Sequence, residues 1–131
     1  MATRPKELRY ETRLEAGAFR ATGVELRVGE GFSAEDLVLA GLISCSLASL
    51  RHAAGRVGIA VGATSGTARA MVTRREEDGR YAFVEVAVDL EAALEPTPDE
   101  ATRSELVERA ERGCFVGASL TAKPVYSWTL V

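Results

Sequence analysis

EDLVLAGLISCSLASLRHA, residues 35–53, is the stretch on which the fold turns. Ser33 can cap it, and Glu35 and Asp36 fall in its first turn, where the positive end of a helix dipole favours carboxylates. Arg51 and His52, with Gly55 beyond them, supply the cations and glycine that usually end a helix. The spacing predicts a helix from about Ala34 to Ala54. Its apolar run, Leu37 to Leu50, is apolar nearly all round and interrupted by serines. That run is too short for a bilayer crossing of roughly 20 residues, so it reads as a buried core helix. A single cysteine, Cys45, lies near its middle.

Upstream, Leu8, Tyr10, Thr12 and Leu14 alternate with charged residues, the period of a strand with one wet face. Gly17 permits a turn, and Val24, Leu26 and Val28 continue the alternation as a second strand before Gly29-Glu30-Gly31 breaks it. Downstream, Ile59 to Thr73 is strand material, Asp78-Gly79 is a hairpin signal, and Val84, Val86, Val88 and Leu90 alternate beyond it. In TPDE, residues 97–100, a threonine cap, a proline at the first helical position and a glutamate start a second helix, which Gly113 ends. Leu106, Val107 and Ala110 give that helix a narrow apolar stripe. Cys114 follows directly, and PVYSWTLV closes the chain as a final strand. The order is two strands, buried helix, two or three strands, helix, strand: one α+β domain over residues 1–131.

Composition narrows the function. The formal net charge of −3 comes with basic residues scattered singly or in pairs, so no stripe matches a nucleic-acid backbone. MATRPKELRYE carries charges with no apolar segment behind them, which predicts a cytoplasmic protein with reduced cysteines. One histidine and two cysteines without a CxxC or HExxH pairing make a metal site a poor expectation. Gly55, Gly58, Gly62 and Gly66 match no nucleotide-binding pattern, so no cofactor is expected.

The two cysteines are the candidate chemistry. A cysteine in an apolar helix is ordinarily a small hydrophobe, and Cys45 in such company has its thiol pKa raised, so a reactive Cys45 needs an imported cation. Cys114, read at the C-terminal and negative end of a helix, suits a second, resolving thiol. Their separation in sequence leaves open whether they meet. His52, about 10 Å further along the helix, is a helix-end residue. Glu35, ten positions before Cys45, lies about 15 Å away on a straight helix, so it can assist only across a subunit boundary. Arg13 falls on the wet face of its strand, whereas the direction of Arg20 is not fixed by the local pattern, which makes Arg20 the better cation candidate. Tyr126 and Trp128 read as core and edge aromatics.

The layout resembles the OsmC/Ohr superfamily, the osmotically inducible and organic hydroperoxide resistance proteins, and looks nearer to its broad OsmC-like branch. AEDLVLAGLISCSLASL, residues 34–50, is similar to the family's acid, leucine, small apolar residues, glycine and cysteine on a central helix, including the step from Glu35 to Cys45. AERGCFVGASL, residues 110–120, resembles its second cysteine. The chain departs from the pattern at Ala34 and Phe115, where the family has proline, and lacks glycines beside Arg20. The resemblance implies antiparallel sheets wrapped around the central helix in an intertwined homodimer, with sites at the interface. It also implies a peroxidase without metal or haem. Cys45 attacks an organic hydroperoxide, Cys114 closes a disulfide on it, Glu35 and Arg20 support Cys45, and an external dithiol recycles the pair. Two rival readings stand beside it: a non-catalytic module holding a small hydrophobic ligand at the dimer interface, and a redox-sensing dimer.

Overall fold

The computed structural model describes residues 4–131. Two compact units divide the chain, one ending at Ser33 and one spanning Ala34–Val131. The N-terminal unit is an antiparallel meander of β1 (Arg13–Glu15), β2 (Ala18–Ala21) and β3 (Val24–Leu26). Three short strands thus replace the two expected. Ala16 and Gly17 both take positive φ, the conformation of a tight hairpin turn, and Gly23 at φ 69° reverses the chain again inside a stretch whose alternation reads as one strand. Leu8 and Tyr10 lie outside regular structure, since β2 has no residues left to pair with them.

The larger unit runs α1 (Ala34–Gly55), β4 (Ala60–Arg74), β5 (Tyr81–Glu95), α2 (Glu100–Arg112), α3 (Phe115–Ser119) and β6 (Val125–Leu130). The signals at both ends of α1 are met, with Glu35 and Asp36 in its first turn and His52 in its last. β4 and β5 form a long antiparallel hairpin, closed where Asp78 accepts from Arg75 Nε at 2.8 Å and Gly79 takes φ 71°. β6 lies beside β5 but parallel to it, so the sheets are not antiparallel throughout. The helical crossover through α2 and α3 is what allows a parallel neighbour, which a tight hairpin forbids.

Two buried clusters join these elements. Leu50, Ala53 and Ala54 of α1 meet Ala92 and Leu94 of β5, Leu106 and Ala110 of α2, and Leu130 of β6. Leu42 and Leu47 of α1 meet Val86, Val88, Leu90 and Cys114. A side chain begun at Gly66 would stand 2.6 Å from Leu90 Cδ2 and 3.4 Å from Ile43 Cγ2, so a bare backbone there lets the helix lie close on the sheet.

Only one face of α1 is covered. Leu42, Ser46, Leu47, Leu50, Ala53 and Ala54 are buried, whereas Val38, Ala40, Ser44 and Ala48 are exposed. The expectation of a helix buried on nearly all sides is therefore corrected for the single chain. At 22 residues the whole helix is also long and apolar enough to cross a membrane by length and composition, which its apolar run alone is not.

α2 starts two residues later than the sequence suggests. Asp99, not Thr97, is its N-cap, and Asp99 Oδ1 accepts from the Thr102 N–H at 2.8 Å. A carboxylate caps better than a threonine hydroxyl, and these hydrogen bonds hold its pKa below the usual aspartate value. The capping contribution is thus fully present above the unfolded-state pKa, near pH 4, and fades as pH falls through the lower folded value. Asp99→Ala is expected to lower the thermal midpoint at neutral pH, with the gap from wild type closing in acid; a gap independent of pH would refute the capping role.

Candidate functional site: a buried thiol pair

The last turn of α2 delivers Cys114 to the middle of α1. Gly113 makes that approach possible, because a side chain there would begin 2.6 Å from Ser49 Oγ of α1. Cys114 then becomes the N-cap of α3, with extended backbone (φ −83°, ψ 106°) and its sulfur accepting from the Gly117 N–H at 3.3 Å. Cys114 thus follows the C-terminal end of α2, as read from the sequence, and also caps α3, its thiol accepting from the Gly117 N–H. α3 itself was not legible in the sequence, being five residues long with a cysteine cap.

Cys45 and Cys114 are both free thiols, near enough for each to shift the ionisation of the other. Cys114 is fully buried, whereas Cys45 is partly exposed. Around Cys114 the polar groups are donors. Ser46 Oγ, itself fully buried, donates to its sulfur at 3.5 Å, and Tyr126 OH lies 3.0 Å from the same serine oxygen. Tyr126 stacks on Trp128, their centroids 5.6 Å apart, and Trp128 Nε1 donates to Glu111 Oε2 at 3.0 Å. Gly117 completes the wall: a side chain there would start 3.1 Å from Tyr126 OH and 3.4 Å from Cys114 Sγ.

The two thiols differ electrostatically. Burial pushes Cys45 up, the N–H groups of Val116 and Phe115 pull it partly back, and Cys114 raises it again, leaving it above the ordinary thiol value. Burial also opposes ionisation of Cys114. There, the hydrogen bonds from Ser46 and Gly117, with help from Cys45 and Tyr126, outweigh it and hold the thiol below its usual value. Burial pushes Tyr126 itself up to about 12.

Among the described residues, Glu35 and His52 make no side-chain hydrogen bond to either thiol. Glu35 is exposed in the first turn of α1 and lines an open groove of about 650 Å³ with Val38, Val72, Tyr81, Phe83 and Leu120. Arg20 belongs to the N-terminal unit, where its guanidinium pairs with Glu25 at 3.1 Å. His52 is exposed in the last turn of α1. Ser46 and Tyr126 were missed as site residues. The signal for Ser46 was its position four residues from both Leu42 and Leu50, a hydroxyl on the buried face that needs a partner. Among the described residues, no cluster of three or more His, Cys, Asp or Glu is placed to hold a metal ion.

A family model described as OsmC-like protein matches residues 27–129. No curated protein matches the chain. Solved structures share its fold. An OsmC-like protein from Mycoplasma pneumoniae superposes with a TM-score of 0.73 at 18% identity, covering 96% of this chain and 98% of that one. An organic hydroperoxide resistance protein OsmC from Legionella pneumophila gives 0.59 at 19% identity, over 96% and 98% of the two chains. The organic hydroperoxide resistance protein OhrB of Bacillus subtilis gives 0.55 at 18%, over 94% and 96%. The α+β architecture expected from the sequence is the architecture of these proteins.

Proposed function

The chain belongs to the OsmC-like protein family, and from that premise we propose that it is a thiol-dependent peroxidase that reduces organic hydroperoxides through Cys45 and Cys114. Family membership, together with neighbours in fold named for organic hydroperoxide resistance, suggests a redox role. The observation that carries the finer reading is the pair of free thiols that influence one another's ionisation, one partly exposed and one buried. Cys45, the more accessible, attacks the peroxide. The O–O bond breaks, an alcohol leaves and Cys45 becomes a sulfenic acid. Cys114 then attacks that sulfur, expels water and closes a disulfide, which an external dithiol reduces.

The catalyst is proposed to be a cytoplasmic homodimer. What supports dimerisation is the exposed face of α1 with Val38, joined by exposed Val72 and Phe115. Glu35 cannot reach Cys45 along its own helix, so its support is assigned to the partner chain, and Arg20 is the cation that would correct the raised Cys45 thiol. The scattered charge supports neither a nucleic-acid nor a membrane partner.

One equivalent of cumene hydroperoxide, added to reduced protein, is expected to give an intramolecular Cys45–Cys114 disulfide in non-reducing peptide mass spectrometry. Two observations favour the rival reading of a binding module: the upward push on Cys45, and the open groove beside α1. Both thiols still free after peroxide would select it.

A further inference from the structure

We propose that Arg75 is a positioning residue for disulfide closure: from the tip of the β4–β5 hairpin it grips Thr121, just beyond α3, and so holds Cys114 where it can attack an oxidised Cys45. This rests on the peroxidase reading and gives that reaction a residue remote in sequence from either thiol.

Arg75 is the first residue past β4, and every edge of its guanidinium is engaged. Nε donates to Asp78 Oδ1 at 2.8 Å and Nη2 to Asp78 Oδ2 at 2.7 Å, a two-pronged pair that fixes the plane of the group. Nη1 is thereby aimed at Thr121 Oγ1, to which it donates at 3.2 Å across 46 residues of chain. A guanidinium has only donors, so the direction of this bond is fixed. Asp78 also accepts from the Arg80 N–H at 3.1 Å, and the Arg75 N–H donates to Arg80 O at 2.9 Å. Arg75 keeps the Asp78 carboxyl down at about 2, so the pair stays ionised wherever thiols react. The Arg75 side chain is 23% exposed, and two-pronged geometry is the case in which a surface ion pair holds. The hairpin tip is therefore a firm point from which to hold another segment.

The segment it holds leads to the thiols. Thr121 is exposed, while Leu120 and Ala122 on either side of it pack against the cluster of Leu42, Val86, Val88 and Cys114, which Cys45 also flanks. Two side chains thus pin this segment from within and Arg75 pins it from without. Upstream lies α3, a short helix with no buried residue of its own. The Leu120 N–H donates to Gly117 O at 3.3 Å, and the Gly117 N–H donates to Cys114 Sγ at 3.3 Å. Gly117 belongs to both bonds, so fraying that starts at Thr121 reaches the contact that orients the Cys114 side chain.

That orientation decides between two fates of the Cys45 sulfenic acid. In one, Cys114 attacks its sulfur, the S–S bond forms, and the hydroxyl leaves with the Cys114 proton as water. In the other, a second hydroperoxide oxidises it to the sulfinic acid and departs as the alcohol. A Cys114 already held in place needs no further ordering before it attacks, so closure outruns the second oxidation. Releasing Thr121 lengthens the life of the sulfenic acid and diverts it to the sulfinic acid.

Rapid-quench mass spectrometry of reduced protein mixed with excess tert-butyl hydroperoxide separates the dithiol, sulfenic, disulfide and sulfinic forms, and so reads both steps at once. Thr121→Val removes the acceptor and leaves the Arg75–Asp78 pair in place. Its dithiol form is expected to disappear at the wild-type rate, while its disulfide forms about fivefold more slowly, the effect of one net hydrogen bond, and sulfinic acid accumulates. Thr121→Ser, which keeps the hydroxyl, should match wild type. Arg75→Gln should slow closure at least as much as Thr121→Val, and adding Thr121→Val to it should slow closure no further, since both remove the same bond. A disulfide that closes at the wild-type rate or faster in Thr121→Val, or closure slowed equally in Thr121→Ser, overturns the clamp and leaves the peroxidase reading intact. Wild-type thiols inert to the hydroperoxide overturn both.

Discussion

Replacing Cys45 by serine is expected to reduce hydroperoxide consumption, measured with excess dithiol reductant, to the rate of the reductant alone. Serine keeps the size of the side chain but removes the sulfur that accepts oxygen and passes through the sulfenic state. The second thiol cannot take over, because Cys114 is fully buried behind α3 while Cys45 is the partly exposed member. Cys114→Ser separates the roles: the protein should consume one equivalent of hydroperoxide and then stall, since no intramolecular partner remains to close the disulfide. The fold should survive Cys45→Ser, as that side chain only flanks the cluster of Leu42, Val86 and Val88. Undiminished turnover in a folded Cys45→Ser protein would refute the mechanism.

The parts of this molecule that were legible in its sequence are those specified by several local signals at once. α1 was readable from both ends because a cap, two first-turn acids, a last-turn cation and a terminal glycine agree. The β4–β5 hairpin was readable because Asp78-Gly79 sits between two alternating runs. What failed is instructive in the same terms. The parallel placement of β6 is decided by the crossover and not by any residue within it. α3 carries no cap residue of the usual kind, so Cys114 was assigned only to the helix before it. Ser46 and Tyr126 acquire their roles only when α2 and β6 bring Cys114 between them, contacts separated by 68 and 80 residues. Cys45 and Glu35 were legible as a motif spacing.

Leu42→Ala and Leu50→Ala are each expected to cost about 3 kcal/mol in urea denaturation, yet only the first should disturb the thiol chemistry. Both leucines are fully buried, and they stand one turn to either side of Ser46 on the same face of α1. Leu50 packs among Ala92, Leu94, Leu106 and Leu130, in the cluster away from Cys114. Leu42 belongs to the cluster that contains Cys114, and its Cδ1 lies 3.6 Å from where a side chain on Gly117 would begin. Truncating Leu42 therefore opens a void beneath α3, whose Gly117 N–H donates to the Cys114 sulfur. α3 has five residues and no buried residue of its own, so little else ties it down. Closure of the Cys45–Cys114 disulfide after stoichiometric hydroperoxide should consequently slow in Leu42→Ala and proceed at the wild-type rate in Leu50→Ala, compared at one protomer concentration. Equal slowing in the two variants would mean that general loss of stability, and not the support beneath α3, controls the pair.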